Sequence, residues 1–396
     1  MTHVTSIGAK GEAPHILLAP DSFKGSLTAR EAAEAMAEGV SRACPSAQLA
    51  LVPIADGGEG TLAAIATSTR ARWLSTEVTA ASGQPKQGRF LALPDGTAVV
   101  ECAEAVGLPE ALRSGADVWR RTTVGVGEMI RHALETGHRR IAVALGGSAT
   151  NDAGVGMLAA LGVRLLDDAG QDVPPVPAEF HRVARVDVSG LDERLRGVEM
   201  FAVCDVDNPL TGENGATAVF GPQKGVSTHD LPHLDTALAH IAALCEAAFG
   251  RQAADLPGAG AAGGLGFALY LLGATRVSGI DFVLDAVGFD RALERTALVL
   301  TGEGRTDAQT ARGKAVAGVA RRAQARGVPV FCISGAIGPC AELLYHHGVT
   351  ALFSIAPGPM ALEDAMANAR ALLAAASENA VRAWLAGRAA VCRSGV

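Results

Sequence analysis

The sequence predicts an α/β protein of two dissimilar domains, one with a helix-covered parallel sheet and a second, inserted into the first, with a mixed sheet. Three observations carry this. A chain of 396 residues exceeds the usual reach of a single hydrophobic core. Near both ends, short apolar runs alternate with amphipathic stretches in β-α-β order. In the middle, two strand-like runs flank a tight turn of the kind that joins antiparallel neighbours.

In chain order, Ile16-Leu-Leu-Ala19 is a short apolar strand ended by Pro20, and Ala29 to Ala43 has helical periodicity with Thr28 as N-cap. Leu49 to Ile54 reads as the next strand. Arg89 to Leu93 and Thr97 to Val100 flank Pro94-Asp95-Gly96 and form the hairpin. Then come strand Arg140 to Leu145, helix Asp152 to Leu161, strand Met200 to Val203 and a helix through Leu234 to Ala247. Strand Ala297 to Leu300, helix Lys314 to Ala325, and strands Val328 to Ile333 and Thr350 to Ile355 return to the β-α-β order. The expected domains are therefore 1–80 plus 290–396, the outer one, and 81–289, the inserted one.

With 49% hydrophobic and 19% charged residues, the chain can bury enough apolar surface to fold. A net charge of -7 offers no basic footprint for nucleic acid or anionic lipid. Seven scattered cysteines without a CxxC pair fit a reducing cytoplasm better than a disulfide framework. The segment through Pro14 has no apolar core of a secretory signal and is expected to be a loose leader. Gly258 to Thr275 is uncharged but too rich in glycine for a membrane span, so no segment is expected to cross a bilayer. A homo-oligomer is allowed by the sequence and not required by it.

Candidate chemistry lies in loops at strand ends. Ala142-Val-Ala-Leu-Gly146-Gly147-Ser148-Ala-Thr150-Asn151-Asp152 runs from a strand through glycines toward a helix, an arrangement that aims amides and a helix dipole at an anion. A tight turn capped by Asn151 or Asp152 would leave the same trace. Ala55-Asp56-Gly57-Gly58-Glu59-Gly60-Thr61 and Thr301-Gly302-Glu303-Gly304-Arg305-Thr306-Asp307 repeat the pattern, each with an acid beside glycines. Ligands bind open α/β sheets at such strand C-termini, and plain turns seldom repeat the combination. Pro20-Asp21-Ser22-Phe23-Lys24 adds a lysine that can neutralise a phosphate or carboxylate, against the commoner fate of a solvated lysine. Asp205-Val-Asp207-Asn-Pro could hold Mg²⁺ through paired acids or could be a self-capped turn. Gly258-Ala-Gly-Ala-Ala-Gly263 matches GxGxxG but lacks the preceding strand a dinucleotide site needs, so a glycine-rich lead-in to a helix is the better reading. No GxxxxGK[ST] occurs, and no histidine falls in the glycine motifs.

Taken together, Ala19-Pro-Asp-Ser-Phe-Lys-Gly-Ser26, Ala55 to Thr61, Gly146 to Asp152, Cys204-Asp-Val-Asp-Asn-Pro-Leu210, Phe220-Gly-Pro-Gln-Lys-Gly225, Gly258 to Gly264 and Thr301 to Arg305 resemble the bacterial glycerate kinase family, from Ile16 to about Ala375. The resemblance implies phosphorylation of D-glycerate by ATP with Mg²⁺, generally at the 2-hydroxyl, and an outer domain that is flavodoxin-like. The family often has glycine where this chain has Ala153, which matters only if the position needs a positive φ.

Phosphoryl transfer asks for positioning, charge neutralisation and a base. The expected roles are as follows. Gly146, Gly147, Ser148, Asn151, Gly302 and Gly304 serve the nucleotide phosphates, and Ser22, Gly57, Gly58 and Arg305 serve the substrate. Lys24 steadies the transferred group or the acid's carboxylate, and Asp205 and Asp307 help hold Mg²⁺. Asp56 is the first choice for the base, with Asp152 second and Asp21 a further catalytic acid. Closure of the two domains on their ligands is expected to exclude water. The alternatives are an NAD-dependent hydroxy-acid oxidoreductase and a non-catalytic sugar-acid sensor.

Overall fold

The structure, a computed structural model, describes residues 13–58 and 60–394. The leader up to Glu12 lies outside the described residues, as does Glu59. The chain forms two compact units. One holds the chain up to Asp56, Ala63–Thr69 and everything from Ile280 on; the other holds Gly57–Leu62 and Arg70–Gly279.

Along the chain, β1 (His15–Leu18) and β2 (Gln48–Leu51) are followed by β3 (Arg72–Thr79), β4 (Pro85–Ala92), β5 (Thr97–Glu101) and β6 (Arg140–Ala144). Next come β7 (Arg164–Leu166), β8 (Arg185–Asp187), β9 (Glu199–Val203) and β10 (Thr275–Val277). β11 (Leu298–Thr301), β12 (Arg305–Thr306), β13 (Val330–Ser334), β14 (Ala336–Ile337) and β15 (Ala351–Ser354) complete the set.

In the first unit, β2-β1-β11-β13-β15 form an entirely parallel sheet. Counted within the unit, that order is 2-1-3-4-5, the flavodoxin-like arrangement, and its topological switch point falls between β1 and β11. The strands are short and fully buried at the centre: Ile16, Leu18, Leu298, Leu300 and Ile333 pack with Met36, Val40, Leu373 and Val381 in one core. Helix Ala29–Ala43 begins at a capping box in which the Glu31 amide donates to Thr28 Oγ1 (3.2 Å) and the Thr28 amide to Glu31 Oε2 (2.9 Å). Its Gly39 faces helix Ala369–Ser394 so closely that a Cβ would lie 2.0 Å from the Ala374 carbonyl oxygen. The second strand stops earlier than the apolar run Leu49 to Ile54 suggested, yet the extended chain continues. Val52 and Ile54 still donate to the carbonyls of Leu18 and Pro20.

In the second unit, β3-β4-β5 are antiparallel and β5-β6-β9-β10 parallel, giving the mixed six-stranded sheet. The predicted hairpin is present, with Phe90 opposite Val100. Strand β3 has no counterpart among the strands expected from sequence; it pairs only with β4, half of its residues are exposed and only Val78 is buried, so it lacks a buried strand's apolar signature. The predicted helix Asp152 to Leu161 is shorter. It runs only over Val155–Ala160, and residues 146–154 form an extended loop that ends in Ala153 and Gly154, both at positive φ (54° and 69°). Among the described residues no helix is long and apolar enough to cross a membrane.

Candidate active site

Two groups of side chains gather at strand ends, one in each unit. In the parallel-sheet unit the loops after β1, β2 and β11 bring together Asp21, Lys24, Asp56 and Glu303. The Asp21 amide donates to the Gly302 carbonyl (2.9 Å), tying the two loops at the switch point. The Ser22 amide donates to Asp21 Oδ1 (2.6 Å). Gly302 is required there, because a Cβ would sit 1.8 Å from the Ile333 carbonyl oxygen. Gly304 passes the Phe23–Lys24 backbone closely, a Cβ falling 3.3 Å from the Lys24 amide nitrogen.

The surroundings of Asp21 and Glu303 disfavour their charged forms. Asp21 is half-buried, and burial together with the charges of Asp56 and Glu303 pushes its carboxyl up to about 7, against the pull of the Ser22 amide and Lys24. Glu303 is also raised, by burial first, while the hydroxyls of Thr310 and Thr306 and the charge of Lys314 oppose the shift. Those hydroxyls donate to Glu303 Oε1, and Thr306 is linked in turn to Ser334 Oγ (2.6 Å). Sequence reasoning passed over Glu303 in favour of its glycine neighbours; an acid in the third of three similar loops was the available signal. Arg305 and Asp307 pair with each other (Nε to Oδ2, 3.2 Å), and the Asp307 Oδ1 also accepts from the Gln309 amide (2.9 Å).

The mixed-sheet unit carries the Gly146–Ser148 loop after β6. Its carbonyls are engaged: Gly146 accepts from the Cys102 thiol (3.2 Å) and Gly147 from the Leu108 amide (2.9 Å). Gly147 has φ 75°, a conformation that favours glycine, and no hydrogen bond from the amides of Gly146, Gly147 or Ser148 is found among the described residues. Lys224, 3% exposed, donates to Ser148 Oγ (3.1 Å) and the Thr150 carbonyl (2.7 Å). Arg121, 4% exposed, donates to the carbonyls of Ala149 (3.1 Å) and Lys224 (2.8 Å). Asn151 Nδ2 donates to Thr217 Oγ1 (2.9 Å), whereas Asn151 Oδ1 and Thr150 Oγ1 are buried with no hydrogen-bond partner. The Gly258–Gly263 segment buttresses this loop. Gly263 lies against Thr150, where a Cβ would come 2.0 Å from the carbonyl oxygen, and it accepts from the Ala153 amide (2.9 Å).

Asp152 differs from the expectation that it could serve as a base. It is fully buried and accepts from the Thr123 amide (2.8 Å), the Thr123 hydroxyl (2.8 Å), the Gly154 amide (3.0 Å) and the Gly156 amide (3.3 Å). With its lone pairs filled by the fold, it staples the glycine loop to the start of helix Val124–Glu135. Burial still outweighs these donors and pushes it up to about 6. An anion at this loop would meet amides and buried cations rather than a helix dipole, because the helix that follows Gly154 has only six residues.

The residues suggested for Mg²⁺ are otherwise occupied. Asp205 Oδ1 accepts from the Gly279 amide (2.9 Å) at the start of helix Gly279–Ala286, and Asp307 closes the turn just described. Among the described residues no group of three or more His, Cys, Asp or Glu is arranged to hold a metal ion. Gly57, φ 85°, packs on Gly279, with a Cβ 2.7 Å from its Cα, and Gly58 accepts from the Thr61 hydroxyl (2.8 Å). Glu101, missed from sequence, accepts the amides of Gly60 (3.0 Å) and Leu62 (3.1 Å) and so fixes that glycine turn.

Comparison with known proteins places this geometry in context. A model described as the glycerate kinase family matches residues 16–385. The chain is 48% identical to the glycerate kinase of Bacillus subtilis (strain 168), over 89% of this chain and 93% of that one. It is 40% identical to the glycerate 2-kinase of Escherichia coli (strain K12), over 92% and 96% respectively. A crystal structure of a protein from Salmonella typhimurium LT2, provisionally assigned as a glycerate kinase 2, superposes with a TM-score of 0.83 at 41% identity, covering 95% of this chain and 100% of that one.

Proposed function

We infer that this chain, which belongs to the glycerate kinase family, transfers the terminal phosphoryl group of ATP to the 2-hydroxyl of D-glycerate, giving 2-phosphoglycerate and ADP. The observation that carries the chemistry is the meeting of Asp21, Asp56, Glu303 and Lys24 at the switch point of the parallel sheet, where burial and neighbouring charge push the Asp21 carboxyl up to about 7. A carboxylate poised near neutral pH is suited to take a proton from a hydroxyl that is being phosphorylated.

In this reading Asp21 accepts the hydroxyl proton as the oxygen bonds to phosphorus and the bond from phosphorus to the ADP oxygen breaks. Asp56, the base expected from sequence, instead raises Asp21 through its own negative charge while no cation is bound. Lys24 balances charge on the substrate carboxylate or the moving phosphoryl group. The amides of Gly146, Gly147 and Ser148, with Asn151 behind them, take the nucleotide phosphates.

Mg²⁺ suits the acid group better than Asp205 and Asp307. Asp56 and Glu303 both lie close enough to act on the charge of Asp21, and Mg²⁺ bound chiefly by phosphates and water needs only one or two protein carboxylates. Asp56 and Glu303 are the oxygens that would hold it. The ion would neutralise charge on the phosphates during transfer.

The test is a coupled assay: the chain with ATP, Mg²⁺ and D-glycerate, followed by enolase without a mutase. Phosphoenolpyruvate formation is expected, together with its loss in EDTA and return with added Mg²⁺. ADP release without enolase turnover would move the phosphorylated position to the 3-hydroxyl, and no ADP release at all would sink the reading.

A further inference from the structure

We propose that Lys224 is a positioning residue for the nucleotide phosphates, holding the Gly146–Ser148 loop from beneath and supplying the positive charge that its amides alone lack. The inference rests on the assignment of that loop to the nucleotide. Lysine and arginine are almost never fully buried unless paired, and this loop has one of each below it. Among the described residues, no ion pair joins a carboxylate to Lys224 or Arg121. Their hydrogen bonds go to carbonyls and a hydroxyl: Ala149, Thr150 and Ser148 of the loop, Ala116, and the Lys224 carbonyl itself.

The other titratable groups near Lys224 are the Cys102 thiol, which burial pushes up to about 12 and so keeps neutral, and Asp152. Asp152, which already accepts four hydrogen bonds, is thus the carboxylate that acts on Lys224; exposed Asp117 lies near Arg121, and buried Glu101, beside Cys102, accepts the amides of Gly60 and Leu62. Leaving a charge without a counterion in the interior is costly, and an anion seated on the loop above would supply the counterion. The unpartnered Thr150 Oγ1 and Asn151 Oδ1 are in the same loop, so polar capacity is left open at this place. A lysine at this position that served packing alone would be replaceable by methionine.

The experiment uses the full chain with Lys224→Met, Lys224→Gln and Lys224→Arg. Inorganic tripolyphosphate and Mg·ATP are titrated by calorimetry, circular dichroism reports folding, and steady-state kinetics separate the KM for ATP from the KM for D-glycerate. Lys224→Met is expected to weaken tripolyphosphate about tenfold or more, a loss of one strong charge interaction, and to raise the ATP KM in parallel while the glycerate KM holds. Lys224→Arg should recover much of the binding. Tripolyphosphate should raise the unfolding temperature of the wild type and of Lys224→Arg but not of Lys224→Met. Should the methionine variant fail to fold, Lys224→Gln, which retains a donor without the charge, gives the same comparison. Wild-type affinity for tripolyphosphate and ATP in a folded neutral variant overturns the proposal. If the wild type binds neither ligand, the nucleotide assignment falls and the role of Lys224 with it, a result distinct from failure of the lysine alone.

Discussion

The loops of the parallel-sheet unit and the glycine loop of the mixed-sheet unit face opposite electrostatic problems. In the first, Asp21, Asp56 and Glu303 crowd together at strand ends, half-buried and with exposed Lys24 as a nearby cation. In the second, Lys224 and Arg121 are buried under backbone, and the acid that acts on Lys224, Asp152, is saturated by the fold. Crowded acids favour uptake of a proton or a dication; buried cations under a glycine loop favour an anion. The difference is the ground on which proton transfer is proposed for one unit and phosphate binding for the other, and substitutions that strike one side alone can break it.

The largest effect is expected at Asp21. Asp21→Asn should lower kcat by about 10²–10⁴-fold, the usual worth of a positioned base, with a smaller change in the glycerate KM. In the wild type, kcat/KM should rise with pH through about 7 as Asp21 ionises, and the variant should lose that limb. The stability effect has a defined sign. The folded carboxyl titrates near 7 and its ordinary value is 3.8, so its contribution to stability is full below 3.8 and is lost as pH rises through 7. The stability of the wild type relative to Asp21→Asn should therefore decline across that window in thermal unfolding, and a constant difference would show that the carboxyl is not perturbed.

Asp152→Asn tests the other side. An amide group in place of the carboxylate turns a donor toward some of the four donors around it, and about 3 kcal/mol of stability should be lost, seen as an earlier denaturant transition. Activity in whatever fraction remains folded should survive far better than in Asp21→Asn. Equal loss of kcat per folded molecule in the two variants would erase the distinction between a base and a staple.

Asp56→Asn sharpens the picture within the acid group. Removing the negative neighbour should lower the pKa of Asp21, so the acid limb of kcat/KM moves to lower pH, and the Mg²⁺ concentration needed for half-maximal activity should rise. If Asp56 itself were the base, the limb would vanish along with the activity.

Much of this was legible in the sequence, for physical reasons that differ by region. Buried central strands such as Leu298–Thr301 and the capped helix Ala29–Ala43 announce themselves, because continuous apolar runs and a Thr28–Glu31 cap are local signals. The edge strand Arg72–Thr79 does not, since its identity depends on a partner rather than on its own residues. Within the sites, glycines and acids stood out as motifs, but which acid titrates near neutrality depends on neighbours brought from three loops. Lys224 was part of a motif without an assigned role, because its position under a loop 76 residues earlier is a tertiary fact. Asp152 could be read as a turn cap or as a second choice of base for the same reason: the donors that fill it come partly from Thr123.

The smallest expected effect is at Ala153, where the sequence raised a question that the backbone answers. Its φ of 54° is in the left-handed region, which costs a non-glycine residue about 1–2 kcal/mol. Glycine would relieve that strain, but it adds about 0.5–1 kcal/mol of chain entropy to lose on folding, and the fully buried methyl it removes is worth about 0.8 kcal/mol. The terms nearly cancel, so Ala153→Gly should leave the unfolding midpoint almost unchanged. Ala153→Val, which adds branching at a positive φ in a closed space, should be clearly destabilising. The conformation is held from both sides, by the Ala153 amide on the Gly263 carbonyl and by Asp152 on the Gly154 amide, so the backbone should keep its path whichever small residue is present. A large gain in stability for the glycine variant would mean that the loop is strained rather than held, and the fixed amide geometry assumed for phosphate binding in this unit would then lose its support.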